Sequence, residues 1–136
     1  MTHRFGSIAV VGAGAVGSFY GAMLARAGHP VTLIGRPAHV DAIERDGLRL
    51  DMGGTVEAIR VAARTDLAAV RGADLILFCV KSTDTESTAR AMASLLAPHA
   101  VVLSLQNGVE NAALIGRHVP QFVVPAVRPP PPVRRT

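Results

Sequence analysis

Residues Ile8–Arg36 read IAVVGAGAVGSFYGAMLARAGHPVTLIGR, and this stretch decides the fold. A short apolar run, Ile8-Ala9-Val10-Val11, leads directly into Gly12-Ala13-Gly14-Ala15-Val16-Gly17. A helical segment follows over about Ala15–Ala27, rich in Ala, Leu and Met, with Gly28 at its C-terminal cap position and Pro30 forbidding continuation. A second apolar run spans Val31–Ile34. Strand, G-x-G-x-x-G turn, helix and strand in one short stretch form the context that gives this glycine pattern its meaning. Gly12 permits the tight turn off the strand, Gly14 lets backbone approach a pyrophosphate, and Gly17 lets helix and strand pack closely. The helix N-terminus adds N–H groups without intrahelical partners and a partial positive charge. The segment therefore reads as a dinucleotide-binding βαβ unit, with residues 12–17 as its phosphate cradle.

The end of the second strand selects the dinucleotide. In NAD-preferring sites an acid at this point binds the adenosine ribose hydroxyls. Here the strand ends Ile34-Gly35-Arg36, and the next acid is Asp41. A carboxylate repels a 2′-phosphate, whereas a guanidinium pairs with it through two hydrogen bonds. Arg36 thus points to NADP(H), against the plainer reading of a solvated loop arginine. His39 is a candidate for a further contact to the same phosphate.

Working outward, a short helix is expected over Val40–Asp46. An edge hairpin is expected from Leu48–Asp51 and Thr55–Ile59 about a Met52-Gly53-Gly54 turn. Leu75–Val80 is a continuous apolar run that suits a parallel strand buried on both faces. Thr85–Leu96 is expected to be helical, Val101–Leu105 a strand, Glu110–Ile115 a helix and Phe122–Val124 a last strand. Alternating strand and helix gives an α/β fold, a Rossmann-like doubly wound, mostly parallel sheet.

Ligands of such sheets gather at the carboxyl ends of the strands. Besides the glycine turn, Val80-Lys81-Ser82 and Gln106-Asn107-Gly108 fall there. Lys81 is the only lysine of the chain. It could orient a cofactor ribose or a substrate carboxylate, or be an exposed lysine beside a helix start. Asn107 could hydrogen-bond a substrate or the nicotinamide end, or serve an Asn-Gly turn.

The composition narrows the classes. With 136 residues, 49% hydrophobic and 18% charged, the chain has the makings of one folded domain. The net charge of +4 falls to +1 for residues 1–125 once Arg128, Arg134 and Arg135 are set aside. With one tyrosine, no tryptophan and no basic stripe, nucleic-acid binding is not expected. No apolar run reaches the length of a membrane span, and no secretory signal opens the chain, so no membrane partner is expected. The single cysteine, Cys79, fits a reducing compartment, is read as a buried strand thiol, and supports a cytoplasmic location. After Pro125 the pattern changes to AVRPPPPVRRT, read as a disordered or polyproline II tail over residues 126–136 beside a domain of residues 1–125.

Taken together, GAGAVGSFYGAMLARAGHPVTLIGR, ADLILFCVKS and LSLQNGVEN resemble the N-terminal NADP-binding domain of the ketopantoate reductase (2-dehydropantoate 2-reductase) family over roughly residues 7–125. That family reduces the 2-keto acid 2-dehydropantoate to pantoate with NADPH, on the route to pantothenate and coenzyme A. The resemblance implies cofactor contacts from Gly12, Ala13, Gly14, Ala15, Val16, Gly17, Arg36 and Lys81. It places Asn107 near both nicotinamide and substrate. In the family an all-helical C-terminal domain follows and supplies the general-acid lysine. Nothing after Pro125 matches it, and the switch to RPPPPVRRT looks like a frameshifted or prematurely ended reading frame. No residue of this chain is therefore assigned as catalytic or as a metal ligand. Expected consequences are negligible turnover by the chain alone and self-association through the surface that the helical domain covers. Two other readings compete. One is a non-catalytic nucleotide-binding or interaction module with the proline tail as partner ligand. The other is a different NADP-dependent 2-keto acid reductase or a dehydrogenase of similar layout, such as the opine or 6-phosphogluconate type.

Overall fold

In the computed structural model, which describes residues 6–106 and 109–126, strand β1 (Ile8–Val11) is buried along its whole length. It is flanked on both sides by parallel partners, β2 (Val31–Ile34) and β6 (Leu75–Phe78). Beyond β2 lies β5 (Ala62–Arg64); beyond β6 lie β7 (Val101–Ser104) and β8 (Phe122–Pro125). The six-stranded sheet has the order β5-β2-β1-β6-β7-β8, and every pairing in it is parallel. The chain builds outward from β1 through β2 to β5, then crosses to the opposite side at β6. The order therefore reverses between β1 and β6, which is where an open α/β sheet forms a ligand crevice.

Side chains alternate along β1. Ile8 and Val10 enter one core with Leu33, Ala22, Val40 and Ile43, beneath α1 (Ala15–Arg26) and α2 (Pro37–Asp46). Ala9 and Val11 enter the other with Ile76, Phe78, Ala89, Met92 and Ile115, beneath α3 (Thr85–Met92) and α4 (Val109–Gly116). Covering both faces is what allows the strands to be apolar on both sides.

Several boundaries differ from expectation for identifiable reasons. Helix α2 starts at Pro37 rather than Val40, because proline suits the first helical position, where its missing N–H has no partner to lose. Helix α3 stops at Met92 instead of Leu96, and the chain tightens there: the N–H groups of Leu95 and Leu96 both reach Met92 O. Pro98 disfavours helical backbone just beyond. Strand β6 ends at Phe78 rather than Val80, since the Val80 carbonyl accepts from a side chain, Gln106 Nε2 at 2.8 Å, rather than from a neighbouring strand.

The hairpin is present but is not an edge of the main sheet. Strands β3 (Leu48–Met52) and β4 (Thr55–Ile59) form a separate two-stranded antiparallel sheet. Its turn is Gly53-Gly54, both at positive φ (65° and 99°), as a tight two-residue hairpin requires. Leu48 and Leu50 drop into the core beside α1, and Arg26 of α1 pairs with Glu57 of β4 at 3.2 Å. The edge position belongs to β5, whose Ala-Ala-Arg sequence carries no strand preference and is held by pairing with β2.

Candidate functional site

The turn after β1 is built from backbone. Gly12 has φ 109°, and a Cβ there would stand 2.8 Å from the Cys79 carbonyl carbon and oxygen, so the turn lies directly against the segment leaving β6. A Cβ on Gly17 would lie 2.0 Å from Gly12 O, so α1 starts in contact with the turn it leaves. Gly14 differs: a Cβ there would have nothing within 4 Å, although φ −77° and ψ −167° are open to other residues. The fold itself does not demand glycine at this position; a ligand lying on the turn would.

Gly14 is also the N-cap of α1, with no side-chain cap and no acid in the first turn. The first intrahelical bond runs from Ser18 N–H to Gly14 O at 2.9 Å. The N–H groups before it have no partner within the helix, and together with the helix dipole they suit an anion.

From this turn a cleft of about 450 Å³ runs over the carboxyl ends of β2, β1 and β6. On its β2 side, Arg36 caps α2 through its backbone, while its side chain is exposed and makes no hydrogen bond or ion pair among the described residues. His39, one turn into α2, borders the same space. Thr65 and Leu67, which follow β5, complete that wall and were not signalled by the sequence, because nothing there announced a strand at Ala62–Arg64. On the opposite side stand Lys81 and, from the start of α3, Asp84, Ser87 and Thr88. Cys79 lies one residue beyond β6 and is half-buried on the cleft wall, not sealed inside a strand.

Lys81 also borders a second, smaller hollow of about 190 Å³ with Val16, Leu105 and Gln106, over the ends of β6 and β7. Gln106 anchors this region. Its Nε2 donates to Val80 O at 2.8 Å and to Thr85 Oγ1 at 2.7 Å. Thr85 Oγ1 in turn donates to Asn111 Oδ1 at 3.2 Å, and Asn111 Nδ2 donates to Ser82 Oγ at 3.2 Å. Sequence reading passed over this network, whose members stand far apart in the chain. Asn107 lies outside the described residues. The structure thus brings Gly12, Ala13, Gly14, Arg36 and Lys81 onto one cleft, with Val16 beside it.

Comparison with known proteins gives a consistent result. Residues 8–129 match the family described as ketopantoate reductase PanE/ApbA. A 2-dehydropantoate 2-reductase from Halobacterium salinarum is 43% identical over 119 residues, covering 86% of this chain and 39% of the relative. The crystal structure of a PanE/ApbA family ketopantoate reductase from Ralstonia eutropha superposes with a TM-score of 0.85 at 59% identity, over 89% of this chain and 41% of that one. D-mandelate dehydrogenase, solved with NADH and anilino(oxo)acetate, is similar at 31% identity and a TM-score of 0.75, over 86% of this chain and 39% of that one. The chain thus spans about two-fifths of the length of the proteins it matches, and the part that matches is the parallel sheet with its glycine turn. On the match of residues 8–129, the chain belongs to the PanE/ApbA ketopantoate reductase family.

Proposed function

We propose that this chain is the NADPH-holding part of a 2-dehydropantoate 2-reductase acting in pantothenate and coenzyme A synthesis. The observation that carries this is the placement of the open Gly14 turn and the unpaired Arg36 on one cleft. The cleft fits the cofactor. The N–H groups at the start of α1 receive the pyrophosphate, with Ala13, Ala15 and Val16 supplying backbone beside the three glycines. Arg36, with no internal partner, pairs with the 2′-phosphate through its planar fork. Lys81 approaches the ribose or the substrate carboxylate from the β6 side, and Asn107 contacts nicotinamide and keto acid. When bound, the cofactor supplies a hydride to the ketone carbon. The alkoxide that develops there requires a proton, and no residue of this chain is assigned to give it. Turnover of 2-dehydropantoate by the 136-residue chain alone is accordingly expected to fall far below the ~1–10³ s⁻¹ usual for enzymes.

The same proposal places the protein in the cytoplasm. No helix among the described residues is long and apolar enough to cross a membrane. Residues 126–136 are proposed as a tail separate from a domain of residues 1–125; Ala126 itself still bonds through its N–H to Ser104 O at 2.9 Å, and residues 127–136 lie outside the described residues. Phe19 and Phe122 stand exposed on the surface, and self-association at high concentration is the expected behaviour, checked by sedimentation velocity.

The test is a calorimetric titration with NADPH and with NADH, repeated on Arg36→Ala. NADPH is expected to bind at least about tenfold more tightly, and Arg36→Ala to abolish that margin while leaving NADH affinity nearly unchanged. Equal affinities in the wild type, or no binding by a folded chain, overturn the assignment. A second reading is supported by the similarity to D-mandelate dehydrogenase, a protein solved with NADH and anilino(oxo)acetate. Tighter binding of NADH in the same titration favours that reading.

A further inference from the structure

The described residues bury only three polar side chains, Thr85 (0% exposed), Ser104 (1%) and Gln106 (8%), and all three belong to one network at the carboxyl end of β6 and β7. Burying a polar group is costly unless its hydrogen bonds are met, and aliphatic side chains would fill the same space without that cost. What a satisfied network adds is direction: one arrangement of the joined segments is favoured over its neighbours.

The segments joined here surround Lys81. Gln106, just past β7, holds the carbonyl of Val80, the residue before Lys81. Thr85 opens α3 and receives the second Gln106 hydrogen bond. Asn111 of α4 accepts a hydrogen bond from the Thr85 hydroxyl and donates one to the hydroxyl of Ser82, the residue after Lys81. The Val80 carbonyl before Lys81 and the Ser82 hydroxyl after it are therefore held, while the Lys81 side chain stays exposed on the two hollows.

The strand order says which part of a dinucleotide this end meets. Strand β2 and Arg36 lie on one side of the glycine turn; β6 and β7 lie on the other. With the pyrophosphate on the turn and the adenosine half toward Arg36, the remaining half must pass over β6 and β7. We infer that Gln106 and Thr85 are positioning residues for the nicotinamide half of the cofactor, acting through a network that holds the Val80 carbonyl and the Ser82 hydroxyl on either side of Lys81. This inference rests on the function proposed above.

Two ligands separate the halves: NADPH, and 2′,5′-ADP, which carries only the adenosine half with its 2′-phosphate. Gln106→Leu keeps the volume and removes both donated hydrogen bonds; Thr85→Val keeps the shape and removes the hydroxyl. In calorimetry of the full chain, each is expected to weaken NADPH about five- to tenfold, as the loss of one or two buried hydrogen bonds predicts. Affinity for 2′,5′-ADP is expected to remain that of the wild type. Thr85→Ser, which restores the hydroxyl, is expected to restore NADPH affinity. Unchanged NADPH affinity in folded variants overturns the inference, as does an equal loss for both ligands. Should Gln106→Leu fail to fold, Thr85→Val decides; failure of both to fold assigns the network to stability and overturns the positioning role. A wild type that binds neither ligand removes the proposed function and this inference with it. A wild type that binds both, with variants that match it, removes this inference alone.

Discussion

The two ends of the parallel sheet treat their charged groups in opposite ways. At the amino end the Asp74 charge is consumed internally. The Asp74 carboxylate accepts from the backbone N–H groups of Gly6 and Ser7 and lies 2.6 Å from His99 Nε2. Backbone bonds close the rest: Asp74 N–H to Ser7 O at 3.0 Å, and Val101 N–H to Asp74 O at 3.0 Å. At the carboxyl end, Arg36, His39 and Lys81 converge on one cleft, with exposed side chains that make no internal ion pair among the described residues. The N–H groups opening α1 have no capping side chain either. Charged groups that pair with one another help to specify a fold; Arg36 and Lys81, unpaired on a cleft that also holds Asp84, suit a ligand that brings negative charge.

The sharpest way to break this comparison is to separate the glycine that the fold needs from the glycine that only a ligand needs. Gly17→Ala puts a methyl 2.0 Å from Gly12 O, a backbone atom that cannot step aside. The expected cost is about 3 kcal/mol or more, lowering Tm by about 10 °C, with nucleotide binding lost as the turn deforms. Gly14→Ala is the counterpart. Its added methyl meets open space, so Tm is expected to stay within about 2 °C of wild type. NADPH affinity is nonetheless expected to drop about tenfold or more, because the methyl occupies the ligand's side of the turn. Thermal melts and titrations on the same two variants check both halves. A destabilised Gly14→Ala, or one that binds normally, erases the distinction.

What was legible in the sequence follows the same division. The βαβ unit was readable because its signals are local: an apolar run, glycines at fixed offsets, a helix and a second apolar run within one stretch. Arg36 was readable because a strand end is a defined place in such a unit. Strand β5 was not, since Ala62–Arg64 owes its extended form to pairing with β2, a partner distant in the chain. Thr65 and Leu67 were missed with it. The hairpin was recognised from a Met52-Gly53-Gly54 turn, of which Met52 belongs to β3, but its docking beside α1 depends on Leu48, Leu50 and the Arg26–Glu57 pair, which have no local signature. The Gln106 network is the extreme case: it joins residues 21 to 29 positions apart, and no spacing pattern announces such contacts.

The smallest expected effect tests the amino end. The hydrogen bond from His99, and then those from the Gly6 and Ser7 N–H groups, hold the Asp74 carboxyl below its ordinary value of 3.8. A carboxyl whose pKa is lowered by folding stabilises the native state while ionised. Its contribution is full above the ordinary carboxyl range and is lost as pH falls through the lowered folded value. Asp74→Asn removes that charge while keeping the side chain's size. The variant is expected to melt slightly lower than wild type at pH 7, with the gap closing as pH falls below 3.8. The effect stays small because the site is open to solvent, where exposed pairs contribute little. NADPH affinity at pH 7 is expected to match wild type, since Asp74 stands before β6 at the end of the sheet away from the cleft. A weakened NADPH complex in a fully folded Asp74→Asn chain would mean that the amino end also serves the ligand, and the contrast between the two ends would no longer hold.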